Sequence, residues 1–533
     1  MTFFEWFIFF LLIQVLHFLG TWKLYIKAGR KPWEALVPVY NAVVLMQIIN
    51  RPKWWTILLF LPIISLIMIP VIWVETLRSF GKNSKMDALL AIASFGLYIA
   101  YVNYNSAGLH YVKNRDISPK PGISDTFGSL LYAVVFATIV HTYFMQPFTI
   151  PSSSLEKSLL VGDFLLVSKF HYGARIPMTT IALPMVHDTI PLLRKKSYVF
   201  DDDHTKKNTS FWNKFELPYL RLPGFQSIRR NDIVVFNQPA DTLLDMNNFA
   251  PDRNYYKPID KKTNLVKRCV GVPGDRLEIR NGSVFIDGKA SKLPDRAKLQ
   301  FAYTITFKMQ PSSNEQVTDI LRLYDITDGI YFDPKSKTYY VQATAENAEK
   351  ARNNPYIQSL QRRETAKGER DPKTFPHNEN YHWNTDFFGP IYIPEKGKTI
   401  ALNTAILTVY KRLITEYEGH QLAVKGNAIF IDGKPAKTYT FEQNYYWMMG
   451  DNRDNSIDAR FWGFVPFDHV VGKPVFIWLS LDKDGKGLDK IRWSRMFTTV
   501  SGEGKAISFL PYFITVLLVY FGCLKYKNRK KGK

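Results

Sequence analysis

Cysteine is nearly absent from this chain. Cys269 and Cys523 are the only two in 533 residues. So few thiols exclude a disulfide-stapled scaffold, and a Cys-rich zinc module fails on the same count. Acidic residues are also scarce, 47 Asp+Glu against 69 Lys+Arg, leaving a net charge of +22. Such an excess suits a nucleic-acid binder. However, the densest basic run, KYKNRKKGK at 525–533, directly follows an uncharged apolar stretch. That is the place of a membrane-flanking anchor, so no nucleic-acid partner is expected. No His/Cys/Asp cluster has metal-ligand spacing, and neither a metal nor another cofactor is expected. Asp201-Asp202-Asp203-His204 reads as a solvated acidic loop. Disorder is excluded because 46% of the residues are hydrophobic and 15% aromatic, enough to bury a core.

Long apolar runs are plentiful. About 20 apolar residues cross the ~30 Å hydrocarbon layer as a helix. Residues 3–20, 54–74, 88–102 (continuing without charge to His110), 129–150 and 507–524 meet that test, giving about five transmembrane helices. The first lacks a basic leading region and an A-x-A-like exit, so it is not expected to be a cleaved signal peptide. Residues 33–49 hold Glu34, Pro38 and Asn41 and read as an interfacial or re-entrant piece. His17 and His141 fall within spans and read as packed side chains. Lys23, Lys27, Arg30, Lys31, Arg51, Lys53, Lys113, Arg115, Lys120 and the basic tail share one face of a five-span arrangement. By the positive-inside rule that face is cytoplasmic, which leaves 151–505 outside. Arg78, Lys82 and Lys85 then fall on the outer face.

Residues 151–505 alternate short β-branched and aromatic runs with turn residues. DIVVF (232–236) and LVKRCVGV (265–272) are strand-like. LEIR-NG-SVFIDGK places Asn281-Gly282 between two strands, the strongest short hairpin signal. LAVK-GN-AIFIDGK repeats the pattern at Gly426-Asn427, and FIDGK at 285–289 is identical to 430–434. Between the hairpins, 290–420 includes helix-favouring stretches at 343–352 and 356–367, split by Asn353-Asn354-Pro355. Nothing in it looks catalytic, and it reads as an inserted cap dispensable for bond breaking. The expected division is a multispan region 1–127, an anchor helix 128–150, a catalytic β domain in two parts (151–289 and 421–505), the α+β insertion 290–420, and a C-terminal helix with basic tail 506–533.

Three clusters carry the chemistry. Ile150-Pro151-Ser152-Ser153-Ser154-Leu155 follows the fourth span. Alone, these serines could be a hydrophilic turn, and nothing local says which of them would attack. Lys267 lies within an apolar β run, where burial lowers an amine's pKa and makes it a possible general base. Residues 448–460, MMGDNRDNSIDAR, set short polar groups beside a glycine. A serine needs a base. No histidine supplies one: His171, His187, His204, His377, His382, His420 and His469 show no Ser/Asp spacing.

In this order the clusters resemble the type I signal peptidase (leader peptidase) family of Ser/Lys proteases. FTIPSSSLEKSLLVGDFLLVSKFHYG (148–173), RRNDIVVFNQP (229–239), LVKRCVGVPGD (265–275) and GDNRDNSIDARFWGFVP (450–466) carry the resemblance. It implies Ser154 as nucleophile and Lys267 as general base. Ser152 and the Ser154 N–H would form the oxyanion hole. Ser456 would orient the lysine, with Asp451, Arg268, Asp458 and Arg460 as structural partners. It also implies small apolar subsites, signal-peptide-bearing preproteins as substrates, and membrane lipids and the secretion machinery as further partners. The place implied is the bacterial inner membrane, multi-pass, with the catalytic domain on the periplasmic side. The family pattern has Met after the nucleophile and Pro two residues further; Leu155 and Lys157 stand there. Cys269 is read as packed. The competing readings are a self-cleaving Ser/Lys regulator, for which no DNA-binding module is seen, and a non-catalytic envelope scaffold.

Overall fold

A computed structural model describes residues 1–105, 108–118, 123–239, 256–483 and 485–531; Lys120 and Lys533 of the basic segments fall outside them. The chain sorts into two units. One comprises 1–144, 175–222 and 252–262, the other 145–174, 223–251 and 263–533. Residues 175–222 and 256–262 sort with the N-terminal region.

Five crossing helices were expected, and among the described residues that number is not confirmed. Among the described residues two are long and apolar enough to cross a membrane, Phe3–Lys27 and Leu510–Lys527. A bent pair, Lys85–Ala93 and Leu97–Tyr104, meets at 119°, and Gly128–Phe144 is a shorter apolar helix. The expected second span is broken into Trp55–Leu58 and Ile64–Ser79. The break holds Pro62, and Ile63 has φ +68°. Its two flanks meet: Arg51 Nη2 and Arg78 Nη1 lie 2.9 and 3.2 Å from the Glu75 carboxylate, which Arg115 also contacts. The Asn50 amide donates to the Lys113 carbonyl at 2.9 Å, and the Tyr111 hydroxyl to that of Ile48 at 3.0 Å. Residues 48–51, 75–79 and 111–115 therefore gather at one place. Hydropathy counts apolar residues but cannot distinguish a run that crosses from one that folds back. Elsewhere in this unit Trp6 Nε1 donates to the Glu216 carbonyl at 3.3 Å, and His17 contacts the Tyr25 hydroxyl. The acidic loop is paired, Asp202 with Lys196 and Asp203 with Lys206.

The second unit is mainly β. Its largest sheet has eight strands. Along the sheet run Met145–Thr149, Asp163–Ser168, Val470–Ser480, Ile233–Asn237, Asn264–Gly271, Tyr445–Met449 and Val465–Pro466, each antiparallel to the next. Thr498–Thr499 pairs with Val470–Ser480. The sheet is covered on both faces, which explains the unbroken apolar run at 233–236. Val234 and Phe236 enter one core and Ile233 and Val235 another, as the two-residue period of a strand requires.

Both FIDGK repeats form the same three-stranded meander. Arg276–Arg280, Ser283–Ile286 and Lys289–Ala290 match Leu422–Lys425, Ala428–Ile431 and Lys434–Pro435. Their second turns agree closely, with φ of 51° and 78° at Asp287-Gly288 and 50° and 77° at Asp432-Gly433.

The 290–420 segment divides. Phe301–Phe307, Asp328–Asp333, Thr338–Ala343 and Ile357–Arg362 form a four-stranded sheet with its own core around Ile305, Val317, Leu321 and Val341. Phe375, Phe388, Ile393 and Tyr410 instead join the core beneath the eight-stranded sheet. The second helix-favouring stretch is a strand: Leu360 pairs with Ile305. Burial of Ile357 and Leu360 in that core overrides local propensity.

Candidate active site

The three serines lie in the connection between Met145–Thr149 and Asp163–Ser168, where residues 153–155 form a 3₁₀ turn. Ile150, Leu155 and Leu159 anchor this connection in the core. That anchoring leaves Ser152 exposed and Ser154 partly so. The turn packs against Asn264–Gly271, the strand carrying Lys267.

Lys267 is 4% exposed. Its Nζ donates to the Ser456 hydroxyl at 2.9 Å. Desolvation pushes its pKa down to about 8, reinforced by the Arg460 charge and opposed by Asp458 and Asp451. The flanking Arg268 and Asp451, 2% and 1% exposed, form a two-pronged pair at 2.7 and 2.6 Å. Asp458 and Arg460 form a second, with two bonds of 2.9 Å. Arg460 holds the Asp458 carboxyl below its ordinary range against the opposing effect of burial. These four buried charges thus pair among themselves, without which their desolvation would be prohibitive.

The closing box reaches the serine turn through its backbone. Asn452 N–H donates to the Ser154 carbonyl at 3.1 Å. A Cβ on Gly450 would sit 2.5 Å from that carbonyl oxygen and 2.3 Å from Ser456 Oγ, so only glycine permits this approach. Gly450 therefore lies between Ser154 and the serine that holds Lys267.

Several participants were missed in the sequence. Asn452 Nδ2 donates to the Ser153 carbonyl at 3.1 Å and Asn455 Nδ2 to the Ser153 hydroxyl at 2.9 Å. Both stand in the quoted GDNRDNS box, so the signal was present. Arg453 is buried, and its Nη1 donates to the Gly282 carbonyl at 2.7 Å. Desolvation lowers its pKa to about 10, and this bond ties the hairpin turn to the box. The insert also meets the closing box. Asp328 accepts from Asn452 and Asn455 at 2.7 and 3.1 Å, and nothing local in the sequence announces it.

Two further residues bear on the sequence reading. Cys269 is fully buried and its thiol pKa raised by desolvation, consistent with a packed role. His171 was expected to have no serine partner, yet its Nδ1 touches Ser168 Oγ. Ser168 is 0% exposed and out of a substrate's reach. Among the described residues no group of three or more His, Cys, Asp or Glu side chains is arranged to hold a metal ion.

Comparison with known proteins agrees with the geometry. Residues 123–334 and 396–479, more than half of the chain, match the family described as signal peptidase, peptidase S26. Residues 33–114 match a family of unknown function, DUF5684. The chain is 24% identical over 363 residues to a signal peptidase I of Buchnera aphidicola subsp. Schizaphis graminum, covering 67% of this chain and 75% of that protein. It is 22% identical over 392 residues to a signal peptidase I of Haemophilus influenzae, covering 72% and 78%. Against a signal peptidase I of Helicobacter pylori it is 22% identical over 394 residues, covering 70% and 92%.

Proposed function

The chain belongs to the signal peptidase, peptidase S26 family, and we propose on that premise that Ser154 is its nucleophile and Lys267 its general base. The protein is a membrane-associated serine endopeptidase that removes signal peptides. The observation carrying the residue assignment is the buried Lys267 amine on Ser456, with Gly450 between Ser456 and the Ser154 carbonyl. Neutral Lys267 takes the Ser154 proton as the hydroxyl oxygen attacks the scissile carbonyl. Ser152 Oγ and the Ser154 N–H donate to the developing oxyanion, such donors typically contributing about 2.7–4 kcal/mol. The lysine then returns the proton to the leaving amine, and a water activated in the same way releases the acyl group. Exported preproteins are the substrates, met at the membrane surface beyond the 128–144 helix.

The test is cleavage of a preprotein by purified variants. Ser154→Ala and Lys267→Ala should each lose at least about 10³-fold in kcat, while Ser153→Ala retains cleavage. The reverse pattern at the two serines would reassign the nucleophile.

The finer topology we read is three crossings, not five: Phe3–Lys27, the helix ending at Phe144, and Leu510–Lys527. The Glu75 cluster supports this, because Arg51 and Arg78 flank one apolar run yet reach one carboxylate. Three and five are both odd, so the catalytic strands stay periplasmic and the basic tail cytoplasmic. Trp6 on Glu216 fits, since it sets the first helix's N-terminal end with a segment of the outer region. Arg78, Lys82 and Lys85 move to the cytoplasmic face, which strengthens the positive-inside asymmetry. A cysteine placed at Lys82 should resist an impermeant thiol reagent in intact cells; labelling from outside would restore five spans.

A further inference from the structure

We propose that the 325–328 loop of the inserted sheet domain is a positioning element for the nucleophile turn. The inference rests on Ser154 being the attacking residue. Two separate tethers carry it. On the downstream side of the turn, Lys157 Nζ donates to Asp325 Oδ1 at 2.6 Å and to Thr327 Oγ1 at 3.1 Å. Lys157 has φ +68°. A proline ring, fixed near −65°, cannot adopt that angle, so the chain after Ser154 follows a path that the family's local proline would forbid. The lysine side chain, 11% exposed, ties that path to the insert.

The second tether runs through the closing box. One oxygen of Asp328 accepts from Asn452 Nδ2 at 2.7 Å and from Asn455 Nδ2 at 3.1 Å. The same two amides donate to the Ser153 carbonyl and the Ser153 hydroxyl. Each asparagine therefore bridges the insert and the nucleophile turn, and Asp328 sets the orientation of both amides at once. Amides held by a carboxylate are held more firmly than amides in water, since charge-assisted bonds are about twice as strong as neutral ones. The network engages both polar groups of Ser153, so the middle serine is fixed away from attack. None of these bonds uses the Ser154 hydroxyl. The insert, remote in sequence from both members of the dyad, thereby sets where the attacking oxygen stands.

A residue that positions the nucleophile should change kcat and leave KM alone. The full-length protein is assayed on a short signal-peptide substrate, with the thermal midpoint followed in parallel. Asp328→Ala should lower kcat about tenfold or more with KM within about twofold, since small misplacements of a reacting group are costly. Asp328→Asn keeps an acceptor oxygen in place and should recover most of that loss. Lys157→Asp and Asp325→Lys should each lower kcat, and the double exchange should restore it. This pair carries the test if Asp328→Ala does not fold. Wild-type kcat in Asp328→Ala, a loss confined to KM, or a double exchange no better than its singles would overturn the proposal. Ser154→Ala separates the two readings: cleavage surviving in that variant refutes the nucleophile assignment, whereas its loss beside wild-type Asp328→Ala kinetics refutes the positioning role alone.

Discussion

Lys267 Nζ lies 2.9 Å from Ser456 Oγ, although the two residues are 189 positions apart in the chain. An amine that spends one N–H on a fixed hydroxyl has its rotation about the last side-chain bond removed. Once a proton is lost, its lone pair is confined to the two staggered positions that this bond leaves. Burial eases the loss of the proton and Ser456 restricts the orientation, which is what the proposed role of Lys267 as a base requires.

Cleavage should rise with pH and level off once Lys267 is neutral. Its pKa is pushed from 10.5 down to about 8, so the acidic limb of kcat/KM should have its midpoint near there. The limb should persist when any histidine is replaced, and chelators should not alter it. A midpoint near 6.5 that vanishes with a histidine would refute the Ser/Lys mechanism.

The same shift has a stability consequence of opposite sign to the usual ion pair. The folded state disfavours the ammonium, so the penalty is fully present below about pH 8 and fades as pH rises toward 10.5. Lys267→Met should therefore stabilise the protein by up to about 3 kcal/mol at neutral pH, less at pH 10. Thermal midpoints of the two proteins across that range should converge as the pH climbs.

Ser456→Ala should leave the protein folded and lower kcat about tenfold to hundredfold, the range expected when a catalytic group loses its orientation. A full loss equal to Lys267→Ala would mean that Ser456 itself reacts.

Gly450→Ala should be far more damaging than its size suggests. The added methyl would meet Ser456 Oγ at 2.3 Å and the Ser154 carbonyl at 2.5 Å. Overpacking of this kind costs about 1–3 kcal/mol, and relief requires Ser456 and the Ser154 carbonyl to move apart. Activity should fall below detection while a lowered thermal midpoint remains measurable.

Asp451→Ala removes the partner of a buried guanidinium. Arg268 would keep its bond to the Asn231 carbonyl at 2.8 Å but lose both carboxylate bonds. The expected cost is about 3–5 kcal/mol, read from denaturant or thermal unfolding, with Asp451→Asn intermediate.

Much of the site is legible in the amino-acid sequence. The Asn281-Gly282 and Gly426-Asn427 turns follow from local chemistry, because a two-residue hairpin demands positive φ at one or both central residues, here Asn281, Gly282 and Gly426. Burial of Lys267 follows from its apolar strand, and the closing box names Asp451, Ser456, Asp458 and Arg460 by position in a short motif. Apolar runs long enough for a membrane are likewise evident as composition.

What tertiary structure alone decided are the meetings across long separations. Asp328 reaches Asn452 over 124 residues, and no local pattern distinguishes it from any other loop aspartate. Residues 357–362 have helical propensity yet pair as a strand, because the energy of burying Ile357 and Leu360 exceeds a propensity difference of tenths of a kcal/mol per residue. The run at 54–74 is apolar enough to cross, yet its ends converge on Glu75, since a buried carboxylate gathers the nearest guanidiniums wherever the chain brings them. Composition sets which segments leave water; only packing sets where each one returns.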